Sequence, residues 1–292
     1  MKLLAKFTLI FTLVFGIGLA VVGFVAHRFL EENARAQVIQ QARLMMETAG
    51  SARTYTTNQI KPLLQNEQVH IRTFLPETVP AFAATENFNY LRAAYPDYTY
   101  KEATLNPTNL RDRAVDWEAD IINSFRKESR NHEMIGERQT PAGNSLFLAR
   151  PITADAPCLE CHDTAGNAPP ALVRHYGSDH GFGWKLNETV GAQIVSVPET
   201  VPIQLAEAGF RTLMLDLGVI FLASLIVLDL VIVITISRPV SRLSRMADEI
   251  SLGKLDAPEL PINGKDEVAV LAGSFNRMRR SLVQALRLLE QP

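Results

Sequence analysis

Cysteine is almost absent from this 292-residue chain, which contains only two of them, Cys158 and Cys161. Two cysteines are too few for a disulfide-rich scaffold, so that class of secreted protein is excluded. An excess of basic charge is also missing, since the formal net charge is −2, and nothing indicates a nucleic-acid partner. The sequence shows no internal repeat and no low-complexity tract, which excludes solenoid and disordered architectures.

Two long segments have few or no charges. Residues 7–26 carry none, and residues 213–236 carry only Asp216 and Asp229. A helix of roughly 20 apolar residues crosses a bilayer, so both segments are predicted transmembrane helices. The first is longer than the apolar run of a signal peptide and ends at a poor cleavage site, which predicts an uncleaved anchor. The pattern assigns no role to Asp229, which is costly inside a membrane unless it is paired.

Basic residues flank both spans on the same side. They are Lys2, Lys6, Arg238, Arg242 and Arg245. Because basic loops stay in the cytoplasm, the sequence predicts cytoplasmic termini, with residues 1–6 inside and residues 27–212 outside. The predicted location is the bacterial inner membrane, with the external domain in the periplasm.

The external region alternates between helical and strand patterns. Helical periodicity continues from the first span to about residue 64. Further helices are predicted at about 80–95 and 114–128, and strands at about 132–139, 145–152 and 190–197. This order predicts an α+β domain in which helices flank an antiparallel sheet.

Two amphipathic helices follow the second span, the first opened by Pro239, and a connector rich in glycine and proline joins them. Their apolar positions repeat at three and four residues: Val240, Leu243, Met246 and Ile250, then Val268, Leu271, Phe275, Met278 and Leu282. A monomer cannot bury such seams, whereas a parallel dimeric coiled coil can, so a homodimer is predicted. Residues 237–292 resemble a HAMP signal-relay domain, including the stretch "DEVAVLAGSFNRM".

The stretch "CLECH", from Cys158 to His162, carries the chemistry of the chain. It is the CxxCH pattern of covalent c-type haem attachment. Two thiols at this spacing can each add to one vinyl group of the porphyrin, and His162 is then held beneath the iron as an axial ligand. Attachment takes place outside the cytoplasm, in agreement with the predicted topology. One covalent haem c per chain is predicted.

Other uses of the cysteine pair compete with haem. Lone cysteines in an oxidising compartment can form a disulfide. They could also form half of a zinc site, although the chain has no second pair to complete it. A redox CxxC motif lies at the start of a helix in a thioredoxin-like fold, whereas this one follows Pro157 in a predicted loop between the second and third strands.

Several stretches together resemble a family of periplasmic haem-c sensor domains with a PAS-like fold, long catalogued as a domain of unknown function. They are "YKEATLNPTN", "DWEAD", "SLFLARPI", the CxxCH motif and "YGSDHGFGWKLNETVGAQIVSVP". The resemblance covers most of residues 35–202. It implies a PAS-type antiparallel sheet, haem c held by Cys158, Cys161 and His162, and a sensory role. The family places its sixth iron ligand, a cysteine, on the first long helix, and this chain has no third cysteine to match it.

Met46 and Met45 lie on that helix and are the predicted substitutes. Met46 has small neighbours one turn away, Ala42, Ala49 and Gly50, which would let a flat macrocycle lie against the helix. We therefore predict Met46 as the sixth ligand, with Met45 next. A histidine or an open, water-bound position are the alternatives. The histidines outside the motif are His27, His70, His132, His175 and His180.

These features predict a membrane-bound haem sensor that relays a redox or diatomic-gas signal to the HAMP domain. The alternative is a membrane-anchored c-type cytochrome for electron transfer, which the HAMP segment disfavours. No nucleophile and base stand in a catalytic pattern, so an enzyme is not expected. The output is expected from a separate kinase, cyclase or chemotaxis component, or from a further C-terminal domain.

Overall fold

The computed structural model describes residues 3–64, 73–128, 130–141, 143–254, 259 and 265–289. The chain divides into two units: Met1–His27 with Phe210–Pro292, and Arg28–Gly209. The helices are α1 (Leu3–Tyr55), α2 (Lys61–Leu64), α3 (Pro80–Ala94), α4 (Asp116–Lys127), α5 (Ala156–His162), α6 (Pro170–Tyr176), α7 (Thr200–Ile232), α8 (Arg238–Ser251) and α9 (Glu267–Leu289). The strands are β1 (Thr99–Thr104), β2 (Met134–Thr140), β3 (Gly143–Thr153) and β4 (Thr189–Pro198).

The four strands form one antiparallel sheet in the order β1-β4-β3-β2. The predicted antiparallel sheet with flanking helices is confirmed. Alternation along β3 and β4 explains the pairing register: Leu148 lies opposite Val195, and both are fully buried. A register slip of one residue would turn these side chains to the other face.

Helices cover both faces of the sheet. On one face, residues of α1 and α3 pack against Leu146, Leu148, Val195 and Val197. On the other face, α4 packs Ile121, Ile122 and Phe125 against Ala103, Ala149, Ala192 and Ile194. The successive residues Leu148 and Ala149 therefore belong to different cores, as expected for a strand covered on both sides.

The sequence analysis missed strand β1. Its residues Lys101 and Glu102 hide the apolar alternation, and Glu102 faces inward although it is charged. Glu102 is only 6% exposed. Its buried carboxylate pairs with Arg53 of α1 and accepts a hydrogen bond of 2.7 Å from the Tyr100 hydroxyl. A buried charge needs such partners, and they come from far along the chain.

Helices α1 and α2 form one long helical rod, and α7 and α8 form another. Each rod contains a π-helical turn just before a proline. Thr56–Ile60 precedes Lys61-Pro62, and Val233–Ser237 precedes Arg238-Pro239. Proline has no N–H to donate, and its ring clashes with the carbonyl four residues earlier in an α-helix. A wider turn relieves both problems, and π-helical turns occur in this form. Pro239 lies in the first turn of α8, as predicted for the residue that opens this helix, and the π-helical turn joins α7 to α8.

The described chain has two helices long and apolar enough to cross a membrane, Leu4–Leu64 and Pro202–Ser251. The predicted spans lie within them. Their apolar side chains are exposed, as Leu13 at 59% and Leu222 at 60% illustrate, so neither segment is the core helix of a soluble domain.

Asp229, to which the sequence assigned no role, has a partner in the other candidate span. The Thr8 hydroxyl donates a hydrogen bond of 2.8 Å to Asp229 Oδ1. A hydrogen bond between two transmembrane helices is typically worth about 0.6 kcal/mol and up to about 1.7 kcal/mol. The contact therefore lowers the cost of placing this carboxyl group in a membrane.

The predicted seams after the second span are only partly buried in the single chain. Leu243, Met246 and Ile250 of α8 are buried, and α8 contacts α9. On α9, the buried positions include Ala269 and Ala272 rather than the predicted apolar seam. The exposed seam residues are Val240, Leu271, Met278 and Leu282. The helix pair within one chain thus leaves part of the predicted seam uncovered.

Candidate functional site

The CxxCH motif lies on the short helix α5, so the expectation of a loop was wrong. Asp155 caps this helix by accepting a hydrogen bond of 3.2 Å from the backbone N–H of Cys158. Pro157 is tolerated in the first turn, where an N–H has no intrahelical partner. Residues at i, i+3 and i+4 share one face of a helix, so Cys158, Cys161 and His162 are neighbours on one side of α5.

Both thiols are free and half-buried. Burial raises the pKa of Cys158, and the Asp155 carboxylate, which accepts a hydrogen bond of 2.8 Å from its sulfur, raises it further. Burial also raises the pKa of Cys161, against the opposing charge of Lys61. Among the described residues, no group of three His, Cys, Asp or Glu side chains could hold a metal ion.

The imidazole of His162 has a defined hydrogen-bonding state. Its Nδ1 lies 2.6 Å from the carbonyl oxygen of Gly181. A carbonyl oxygen can only accept, so Nδ1 carries the proton and Nε2 keeps a free lone pair. Burial lowers the pKa of His162, and the Gly181 hydrogen bond opposes this shift only in part. The ring is thus neutral, with Nε2 available to a metal, and the partner at Nδ1 fixes its orientation.

A turn at residues 180–184 encloses His162 from two sides. The ring of Trp184 stacks on the imidazole, with centroids 3.9 Å apart and planes inclined by 11°. The backbone N–H of Trp184 donates to the His162 carbonyl at 3.1 Å, and that of Gly183 donates to the Asp163 carbonyl at 2.7 Å. The sequence analysis did not assign Trp184 to this site. The signal available was the pair of glycines around Phe182, which indicates a tight turn.

Gly181 cannot be replaced without distortion. Its φ of +83° is in the region that favours glycine. A Cβ at this position would lie 2.0 Å from Thr108 Oγ1 and 2.7 Å from Thr108 Cα. The segment around Thr108 therefore packs directly against the turn that carries the carbonyl partner of His162.

Two basic residues from the end of the first rod reach the motif. Lys61 Nζ lies 3.9 Å from Glu160 Oε2, on the helix that carries both cysteines. Arg53 pairs with the buried Glu102, and its charge also acts on the Cys158 thiol. Burial lowers the pKa of Arg53, but the adjacent Glu102 carboxylate outweighs burial, so the pKa is raised overall and the guanidinium stays charged.

The predicted sixth ligands lie earlier on α1. Met46 is 2% exposed and belongs to the core cluster that contains Phe88, Tyr100 and Leu148. Met45 is half-buried and packs against the same cluster. The small residues Ala42 and Ala49, expected to leave room for a macrocycle, are buried in this core.

The histidines outside the motif have other surroundings. His27 contacts the ring of Phe210 edge-on, and His175 lies against Phe74 and Tyr176. His132 is exposed and His180 is half-buried in the turn before Gly181. His70 lies outside the described residues.

The Tll0287-like family model matches residues 31–198, which is more than half of the chain. The chain belongs to the Tll0287-like family. A HAMP-domain model matches residues 231–284, so the predicted order of a haem-protein family domain followed by HAMP is confirmed. Among solved structures, this chain is similar to "Crystal structure of the cyanobacterial heme-protein Tll0287". The identity is 16% and the TM-score 0.43, over 55% of this chain and 94% of that chain. No curated protein matches.

Proposed function

We propose that this protein is a membrane-bound haem sensor. It holds one haem c per chain through Cys158, Cys161 and His162 and signals through its HAMP domain. The observation that carries the proposal is the tautomer and placement of His162. Its Nδ1–H donates to the Gly181 carbonyl, which leaves the Nε2 lone pair for a metal, and two free thiols lie on the same helix face. The chain belongs to the Tll0287-like family, and the printed description of Tll0287 as a heme-protein supports the same cofactor here.

The residues of the site fit a covalently attached haem. Both cysteines are on the same side of α5 as His162, so two thioether bonds and an axial ligand can come from a single short helix. Haem bound in this way would supply one-electron redox chemistry and an iron to which small ligands can bind. The protein's part is to hold the His162 ring in one tautomer and orientation and to bury one side of it beneath Trp184.

The HAMP match favours a sensor over an electron carrier. An electron-transfer cytochrome has no use for a signal-relay helix pair beyond its anchor. We propose a bacterial inner-membrane protein in which residues 1–6 and 237–292 are cytoplasmic. Residues 7–26 and 213–236 cross the membrane, and residues 27–212 form the periplasmic haem domain. The redox state of the iron or a bound diatomic gas is the proposed signal. A kinase, cyclase or chemotaxis component, or a further domain, is the proposed output.

A parallel homodimer would complete the relay. Leu271, Met278 and Leu282 are exposed on α9 and repeat at the spacing of a coiled-coil seam. A second copy would cover this seam. A change at the haem need only bias the dimer by about 1–3 kcal/mol to change its populations about 5–150-fold.

Disulfide crosslinking tests the relay. Single cysteines at Leu243 and at Leu271 should crosslink between subunits in membranes, with an efficiency that changes when the haem is oxidised, reduced or bound to carbon monoxide. Haem attachment occupies both natural cysteines, so the introduced thiol is the only free one. Arg280→Cys is the matched control, because nine residues from Leu271 is two and a half turns and lies on the opposite face. A crosslinking efficiency that is the same in every haem state would favour the electron-transfer function.

The sixth ligand is proposed to be Met46, with Met45 as the alternative. A thioether ligand raises the redox potential and gives ferric haem a weak long-wavelength charge-transfer band. We therefore expect Met46→Leu to remove this band and lower the potential, while the similar size of leucine limits the loss of stability to less than about 1.5 kcal/mol. Met45→Leu is the matched control. Spectra that Met46→Leu leaves unchanged would assign Met46 to the core cluster alone.

A further inference from the structure

The side-chain amide of Asn106 holds the turn that orients His162. Asn106 Oδ1 accepts a hydrogen bond of 3.2 Å from the backbone N–H of Gly181, and its Nδ2 donates one of 3.3 Å to the carbonyl of Phe182. The next residue, Pro107, is buried, and a proline restricts the backbone conformation of the residue before it, here Asn106. These contacts join the segment after β1 to a turn 75 residues further along the chain.

The position of the two bonds matters more than their number. The N–H of Gly181 belongs to the peptide group before this residue, and the carbonyl of Phe182 belongs to the peptide group after Phe182. Between them lies the Gly181–Phe182 peptide, whose carbonyl accepts the proton of His162 Nδ1. Asn106 thus restrains both neighbours of the peptide that binds the histidine. Glycine at 181 gives this peptide unusual rotational freedom, so the restraint has to come from outside.

We propose that Asn106 is a positioning residue that sets the strength of the His162–Gly181 hydrogen bond and, through it, the redox equilibrium of the haem. This rests on the proposed attachment of haem at Cys158, Cys161 and His162. The described hydrogen bonds of the Asn106 side chain are to the backbone of Gly181 and Phe182, not to the histidine. It acts through the Gly181 carbonyl, as groups beyond the ligand commonly tune a metal site.

The direction of the effect follows from the charge on the ligand. A strong hydrogen bond from Nδ1–H to a carbonyl draws the proton away from the ring and makes the imidazole a better electron donor. A better donor stabilises the ferric ion relative to the ferrous ion. Loss of the Asn106 amide frees the Gly181 peptide, weakens this bond and shifts the equilibrium towards reduced haem.

The test is the midpoint potential of the full-length haem-loaded protein with Asn106→Leu and with Asn106→Ala. Both variants remove the amide but differ in size. In both we expect the ratio of reduced to oxidised haem to rise by more than twofold and up to about tenfold, and a tenfold rise is an upward shift of about 59 mV for a one-electron couple. Asn109→Leu is the matched control, because Asn109 lies in the same segment but its side-chain oxygen accepts a hydrogen bond from Arg111 N–H in the next turn. It should lower stability without moving the potential.

The proposal is overturned if Asn106→Ala changes the ratio of reduced to oxidised haem by less than twofold, or if it lowers the midpoint potential. Asn106→Ala decides the test if Asn106→Leu does not fold. Failure of the proposed function looks different, because the wild-type protein would then carry no covalent haem. In that case ¹⁵N-histidine spectra of full-length wild type and Asn106→Ala decide the role of Asn106. Loss of the Nδ1-protonated form of His162 in the variant supports it, and an unchanged tautomer overturns it.

Discussion

Serine at both motif cysteines, Cys158→Ser/Cys161→Ser, should remove all covalently bound haem from the protein. The reason is chemical: a hydroxyl does not form the thioether bond to a vinyl group, and no other cysteine exists to replace either thiol. Each single variant should retain one thioether or none. The measurement is the haem that stays with the polypeptide through acidified-acetone extraction, after expression with the c-type maturation machinery.

Glu160→Ser is the matched control for the cysteine variants. It changes a residue between the two cysteines on the same helix and keeps the CxxCH pattern, so it should retain its haem. Full loss of haem from the wild-type protein under extraction would contradict covalent attachment. A wild-type mass that lacks haem and is lower by two hydrogens would instead identify the disulfide alternative.

Replacement of Arg53 by methionine should strongly destabilise the unit formed by Arg28–Gly209. Arg53 pairs with Glu102, whose side chain is 7% exposed and also accepts from the Tyr100 hydroxyl. Removal of one member of a buried pair leaves an uncompensated charge and typically costs 3–5 kcal/mol. Because Arg53 is itself 31% exposed, we expect about 3 kcal/mol. A domain of this size should then unfold roughly 6–12 °C lower.

Two further variants identify the buried charge as the cause. Arg35→Met is the matched control, since Arg35 is on the same helix and pairs with Glu137 at 2.7 Å, but both side chains are exposed. Such a surface pair contributes only about 0–1 kcal/mol. The double variant Arg53→Met/Glu102→Gln should recover much of the lost stability, because it leaves no unpaired charge. Equal losses for Arg53→Met and Arg35→Met would refute this account.

The sequence predicted those parts of the fold that depend on local patterns. Apolar periodicity predicted strands β2, β3 and β4 and helices α3 and α4. The CxxCH pattern, only five residues long, was enough to predict covalent haem attachment. Strand β1 could not be found in this way, because its inward Glu102 is satisfied by Arg53, 49 residues earlier. Periodicity counts such a residue as solvent-facing.

The surroundings of His162 were missed for the same reason. Gly181 and Trp184 contact His162 from the 180–184 turn, and Asn106 binds that turn from the segment after β1. None of the three has a spacing that relates it to the motif. The helix α5 was also missed, because seven residues with one proline give too little periodicity to distinguish a helix from a loop. Its N-terminal cap, Asp155 before Pro157, was the available signal.

The wide turn at Val233–Ser237 limits how this protein could be recombined with other proteins that contain a HAMP domain. Pro239 fixes the position of the π-helical turn in the sequence, and helical structure continues through this turn from α7 into α8. In a hybrid receptor, each residue gained or lost along a helix rotates everything beyond it by about 100°. A junction placed inside 233–239 would change both the wide turn and the phase of the Leu243 seam. Exchange of the Tll0287-like domain therefore calls for a boundary before Val233, with the native spacing from Val233 to Leu243 transferred intact.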